Sequence, residues 1–575
     1  MPVCQYSPSS DEYYDFIIRY SPRSPDLYQL ALTHCVNFIS RDFAVVHAPR
    51  SDVEPFTISQ YSYGIIPKLY GLLDTTALED SGIPPVFDQP SLLSTGKGSI
   101  IGIADTGIDY TNPLFRTSDG ATRILGIWDQ TLDSDEPLPE IDGYQPLYGS
   151  VFSQEQINAA LNAQDPYEIV PSKDTDGHGT FMAGVAAGSR VTRPAPFFGA
   201  APDASLIIVK LKPAKQYLRD LFLIRPDATA FQENDIMAAI SYMSGLANQY
   251  DMPIVFYLGL GTSQGNHEGT TPLGQQLRNM EGYSGTAAVA AAGNEVGLHH
   301  HYRGNMPPNQ VFDDVELRVG SDETGFCTEL WAKEPDLYTV GFVSPSGEII
   351  DRIPLSLGSE TVISLKLDST VITINYQNNE SGSGSQLIFM RFQAPSPGIW
   401  HIRIYPLVYV SGSFHLWLPM DGFLSKNTMF LRPDPDNTIT DPGNASMPLT
   451  VSTYNHGNNS IYIHSSRGYT PDGRIKPDLA APGVEVQGPA LTPLGADLRF
   501  TRRTGSSVAA ALTAGAVADL FTWGVTNNNN QALSGAAIKS MLIRGANRSQ
   551  AFTYPNPTWG FGTLNLYQAF LRIRE

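Results

Sequence analysis

The chain has 575 residues, enough for three or four domain-sized units, and at 42% hydrophobic and 16% charged it can bury large cores. Lys and Arg number 37 against 57 Asp and Glu, a formal charge of −20 that disfavours nucleic acid as a partner. No stretch approaches eighteen uninterrupted apolar residues, so no membrane span is expected, and the 51 Gly and 43 Pro imply many turns.

At the N-terminus, "MPVCQYSPSSDEYYDFIIRY" has no basic region followed by an apolar run. No signal peptide is expected, and the protein is expected to fold inside a cell. Cys4, Cys35 and Cys327 are too few for a disulfide framework and sit in no metal-ligand spacing, so they are expected to be reduced thiols, with no metal and no cofactor. "YYDFIIRY", "LYQLALTHCVNFIS" and "FAVVHAP" read as strand, helix and strand, a small α/β unit. From about Gly96 the texture changes. "GSIIGIADTGIDY", "ASLIIVKLK", "DMPIVFYLGLG" and "GTAAVAAAGNE" are continuous apolar runs of the kind that form buried parallel strands. Helical segments at 176–188 and in "ENDIMAAISYMSGLANQY" alternate with them, which predicts an α/β fold with a central parallel sheet.

Near residue 303 the pattern becomes alternating, β-branched and aromatic, in "QVFDDVELRV", "TVISLKLDSTVITINY", "SQLIFMRF", "GIWHIRIYPLVY" and "GSFHLWLPM". Many short strands predict an all-β jelly roll, with "NNESGSGSQ" as a hairpin tip and rigidity as its role. By about residue 445 the α/β texture returns in "MPLTVSTYN" and "KPDLAAPG" and in the small-residue helix "GSSVAAALTAGAVADLFTW", so the β block is an insertion. Two charged or polar runs are expected to be solvated rather than metal-binding: His299, His300 and His301, and "PDPDNTITD" at 433–441.

Three polar residues fall at strand ends or helix starts, where open α/β sheets place ligands. Asp105 follows "IIGIA", His178 opens a helix within "DTDGHGTFMAGVAAG", and Ser507 opens another within "RTGSSVAAALTAG". A serine hydroxyl attacks only when an imidazole takes its proton, and the imidazole needs a carboxylate to hold its tautomer. Flanking glycines at 177 and 179 would let a peptide substrate pass close to the backbone. Small residues after His178 and Ser507 would let the two helices nest. A serine at a helix N-terminus also faces free N–H groups that favour developing negative charge. "VAAAGNE" supplies Asn294 as a second donor to such an oxyanion, worth roughly 3–4 kcal/mol of barrier in that role.

The order Asp, His, Asn, Ser, with "DTGID", "DGHGTFMAG", "AAGN" and "TGSSVAAA", resembles the subtilisin family of serine peptidases. "GAAPDASLIIVKL" and "SSRGYTPDGRIKPDLAAPGVEV" extend the likeness. The resemblance implies that Asp105 orients, His178 is base and then acid, and Ser507 attacks, while Asn294 and the Ser507 N–H form the oxyanion hole. Ser507 rather than Ser506 fits the family's Gly-Thr-Ser-x-Ala pattern, through Gly505, Ser506, Ser507, Val508 and Ala509. Ala511 stands where the family has proline. By the same resemblance "YLGLG" (257–261), with Tyr257, Leu258 and Gly259 at its start, would line the substrate backbone, and Ala291, Ala292 and Gly293 the first specificity pocket.

Asn294 and Ser507 are 213 positions apart, far more than a compact subtilisin needs, and the β block fills the gap. Subtilisin-like proteins with a jelly roll inserted there resemble the Csp germination proteases of spore-forming clostridia. That resemblance implies a prodomain that cuts itself off and then stays in the cleft, a spore-associated location, and a protein substrate, the inactive precursor of a spore cortex hydrolase. Two alternatives stay open, a silent or prodomain-occluded regulatory pseudoprotease and a general degradative peptidase. The expected layout is a subtilisin-like three-layer α/β fold: a prodomain over residues 1–75, the catalytic domain over 76–303 and 441–575, and the β insertion over 304–440. Self-cleavage is expected near "YGLLDTTA" (70–77).

Overall fold

A computed structural model describes residues 4–21, 25–72, 79–87, 89, 92, 94–134, 137–356 and 359–574. The expected domain boundary at residue 75, and the part of the expected cleavage stretch beyond Leu72, lie outside the described residues.

Seven parallel strands make the centre, in the spatial order Leu479–Pro482, Leu449–Asn455, Thr286–Ala291, Ile254–Leu258, Ile100–Asp105, Ser205–Lys210 and Ile124–Asp129. Two short antiparallel strands join them, Ser460–Ile461 on Leu449–Asn455 and Ser150–Ser153 on Ile124–Asp129, so the expected parallel sheet is mixed. The continuous apolar runs follow from burial on both faces. In Ile100–Asp105, Ile101 and Ile103 enter one core while Ile100 and Ala104 enter the other. Val255 and Tyr257 likewise part from Phe256 and Leu258. The helices His178–Ala187 and Ser506–Phe521 cover the first face, and Glu233–Gln249 and Pro272–Met280 the second, giving three layers.

The first pair of helices is buried on all sides. Their small residues are required by closeness: a Cβ at Gly515 would stand 2.7 Å from the Ala186 carbonyl oxygen of the other helix. Ser506–Thr526 is the one helical stretch among the described residues apolar and long enough to cross a membrane, and it is this buried core helix.

The N-terminal unit is a three-stranded antiparallel sheet, Tyr13–Arg19 and Cys35–Phe38 flanking Phe43–Pro49. The run expected as one helix is helical only over Pro25–Leu30 and then becomes the strand Cys35–Phe38. The expectation of three free thiols is corrected: Cys4 and Cys35 form a disulfide, with Cα atoms 4.6 Å apart. Cys327 alone is free, and burial pushes its thiol up.

The insertion is a β-sandwich whose strands run from His301 to Phe430. Six strands form one antiparallel sheet and five the other, around a core that includes Trp400, Phe392, Phe326 and Tyr338. "NNESGSGSQ" joins the strands Val371–Gln377 and Gln386–Gln393 as expected, and Glu380 holds the tip by accepting from Gly382 N and Ser383 N. Of the histidine run only His299 is exposed as expected. His300 is buried against Glu295, and His301 is buried in a stack with His415 and Trp417, 2.9 Å from the His415 ring nitrogen. The run 433–441 is solvent-accessible only over its first four residues, since Asn437 to Asp441 are buried where the chain returns to the catalytic unit. Among the described residues no group of three or more His, Cys, Asp or Glu side chains is placed to hold a metal ion.

Candidate active site

Asp105 ends its strand at the carboxyl edge of the sheet, and His178 and Ser507 stand in the first turns of the two helices that cover one face. All three are buried. His178 Nδ1 lies 2.8 and 2.9 Å from the two Asp105 carboxylate oxygens. His178 Nε2 lies 3.5 Å from Ser507 Oγ. That last distance is at the long limit of a hydrogen bond. Thr106 N donates to Asp105 Oδ1 at 2.7 Å and fixes the carboxylate.

The histidine is held by a scaffold that starts with Asp174. Its Oδ1 accepts from Gly177 N at 2.8 Å, Asp176 N at 3.1 Å and the Thr106 hydroxyl at 3.0 Å. Its Oδ2 accepts from Thr180 N at 2.9 Å and the Thr180 hydroxyl at 2.7 Å. An acid before a helix N-terminus satisfies free N–H groups and meets the positive end of the dipole. Asp174 and Thr106 went unnoticed in the sequence, although an acid just ahead of a Gly-flanked helix start was the signal.

The two flanking glycines have structural tasks of their own. Gly177 has φ of +90°, a left-handed turn, and a Cβ at Gly179 would overlap the Gly107 carbonyl. Gly179 therefore allows close contact between the histidine helix and the Asp105 loop, and Gly177 allows the turn that precedes the helix.

The two adjacent serines have separate tasks. Ser507 Oγ faces the imidazole, whereas Ser506 Oγ accepts from Gly293 N at 3.1 Å. Asn294 Oδ1 accepts from Ser506 N at 3.1 Å. With Oδ1 occupied as an acceptor, the Asn294 Nδ2 is the donor that an oxyanion can meet. Ala291 and Ala292 are buried, and Ala292 O accepts from Thr440 N at 3.0 Å. Gly293 has φ of +103°, and a Cβ there would stand 2.7 Å from Ser466 Oγ.

Tyr257 and Leu258 are buried inside the central sheet, and a Cβ at Gly259 would overlap the Tyr257 phenol. Within the expected segment 257–261, the edge that meets an extended chain is its last two residues. Leu260–Gly261 pairs antiparallel with Leu69–Leu72 of the N-terminal unit, through Leu260 with Leu72 and Gly261 with Gly71. On its other side Leu69–Leu72 pairs with Phe231–Gln232. Leu69 N also donates to Gln264 Oε1 at 2.9 Å.

This arrangement can carry out acyl transfer. Ser507 Oγ can attack a carbonyl as its proton moves to His178 Nε2, with the Nδ1–H held by Asp105. The same proton can then go to the leaving amine, while Asn294 and the Ser507 N–H face the oxyanion.

The subtilase family matches residues 96–347 and 430–562, about two thirds of the chain. Over 547 residues the chain is 24% identical to the subtilisin-like protease SBT3.4 of Arabidopsis thaliana, which covers 85% of this chain. It spans only 64% of that relative's length. Among solved structures it is similar to the CspB protease of Clostridium perfringens, with 29% identity and a TM-score of 0.73 over 85% of this chain and 96% of that one.

Proposed function

Because the chain belongs to the subtilase family, we propose that it is a serine endopeptidase that matures by cutting the chain just after its N-terminal unit and then cleaves a protein precursor. The observation that carries this reading is the strand Leu69–Leu72, held on both edges by catalytic-unit strands as an extended peptide would be. Until it leaves, it fills the place of a substrate, so the N-terminal unit is both first substrate and inhibitor. Buried polar contacts strengthen its seat: Lys215 Nζ donates to Asp15 Oδ1 at 2.9 Å, and His47 lies 2.7 Å from the same oxygen.

The likeness to the CspB protease over 96% of that chain supports the narrower reading. The substrate is the inactive precursor of a spore cortex hydrolase, and the protein acts in the spore after folding inside the cell. The test is to express the full chain beside Ser507→Ala. The unaltered chain should release a fragment of the size of the N-terminal unit, and Ser507→Ala should not. Two full-length products, neither labelled by a fluorophosphonate, would remove the peptidase reading. Incubation with the hydrolase precursor then tests the narrower one, which fails if an active enzyme leaves that precursor uncut.

A further inference from the structure

Tyr70 is a large side chain of the seated strand. It is fully buried, in the apolar cluster that also holds Phe231, Leu260 and Leu273 of the catalytic unit. Its hydroxyl donates to Asp441 Oδ1 at 2.6 Å. Asp441 is itself only 1% exposed. The Thr271 hydroxyl lies 3.1 and 3.0 Å from its two carboxylate oxygens, and Thr271 is held in turn as the N-cap of Pro272–Met280. The main chain pins the acid as well: Asp441 N donates to Thr262 O at 2.9 Å, and Thr262 N to Asp441 O at 3.0 Å, next to the Leu260–Gly261 edge. Burial pushes the Asp441 carboxyl up to about 7.

An apolar cup with an acid fixed at its floor matches one side chain, an aromatic ring ending in a hydroxyl. A phenylalanine would fill the cup and leave a buried carboxylate short of a partner, which is the costly way to lose a hydrogen bond. Sites built to bind a hydroxyl reject the analogue lacking it far more strongly than apolar pockets reject an extra methylene. Tyr70 belongs to the segment that leaves, whereas Asp441 and Thr271 remain.

We infer that Asp441 makes this pocket a tyrosine-reading subsite. A protein substrate would be selected by a tyrosine a few residues before the cut bond, seated where Tyr70 sits in the uncut chain. The inference rests on the peptidase reading above.

The test uses the self-processed enzyme and two fluorogenic peptides copying residues 66–78, one unchanged and one with Tyr70→Phe. The unchanged peptide should have a kcat/KM higher by about 10- to 100-fold. In Asp441→Leu that preference should vanish or reverse, with fluorophosphonate labelling of Ser507 showing that the variant is folded. A preference under twofold in the unaltered enzyme, or one that survives in Asp441→Leu, overturns the inference. If neither peptide is cut and Ser507 is not labelled, the peptidase reading has failed and the pocket is judged separately. In the uncut Ser507→Ala chain, Tyr70→Phe and Asp441→Asn should each lower the thermal midpoint, and the pair together should lower it by less than the sum. Additive shifts would overturn the pocket even then.

Discussion

Asp105 and Asp441 are both buried carboxylates within hydrogen-bond distance of an aromatic or imidazole side chain, yet they are built for opposite purposes. Asp105 takes a main-chain N–H from its own neighbour and meets a ring carried by a helix of the same unit. Its partner never leaves, so the carboxylate can hold one tautomer of His178 through every step. Asp441 is backed by Thr271, but its ring partner belongs to the segment expected to depart. The catalytic acid is therefore satisfied within the fold, while the other acid is fully satisfied only when a chain lies in the cleft. A buried carboxylate whose partner can leave is suited to recognition, because the cost of leaving it unpaired falls on the wrong substrate.

That contrast can be broken by substitution. Asp105→Ala should slow release of the N-terminal fragment by roughly 10⁴-fold, the size of effect found when such an acid is removed from a Ser-His-Asp triad. Asp441→Leu should instead change which peptide is cut. Equal losses on both peptides in the two variants would erase the distinction. Asn294→Leu should lower kcat by about 10²–10³-fold with little change in KM, measured on the same peptide, since it removes a donor used only when charge develops. Asp174→Ala leaves several buried donors unpaired and should cost about 2–4 kcal/mol in urea unfolding followed in the Ser507→Ala background. Ser506→Ala loses one main-chain bond to Gly293 and should cost about 1 kcal/mol, with less than a tenfold fall in kcat.

The residues that meet at the sheet edge were readable because each ends an apolar strand or opens a small-residue helix, positions that a parallel sheet brings to one side. The nesting of the two helices was readable from their small residues, which meet around Ala186 and Gly515. The partners in space were not. Cys4 and Cys35 pair across 31 positions of a chain with an odd number of cysteines. His301 finds His415 across 114 positions, because the β-sandwich lays their strands side by side. The run from Ile254 to Gly261 reads as one apolar strand, and only the pairing of Leu69–Leu72 distinguishes the edge that receives a chain from the part buried in the sheet. Asp441 looks like the end of an acidic loop, and its burial depends on where the inserted sandwich returns to the catalytic unit.

The central claim is that Ser507, and not its neighbour Ser506, faces the imidazole as nucleophile. The most direct measurement is to react the processed enzyme with a fluorophosphonate and locate the adduct by peptide mass spectrometry. A single adduct is expected on Ser507, lost in His178→Ala. An adduct on Ser506, or reaction at Ser507 that persists undiminished without His178, would contradict it.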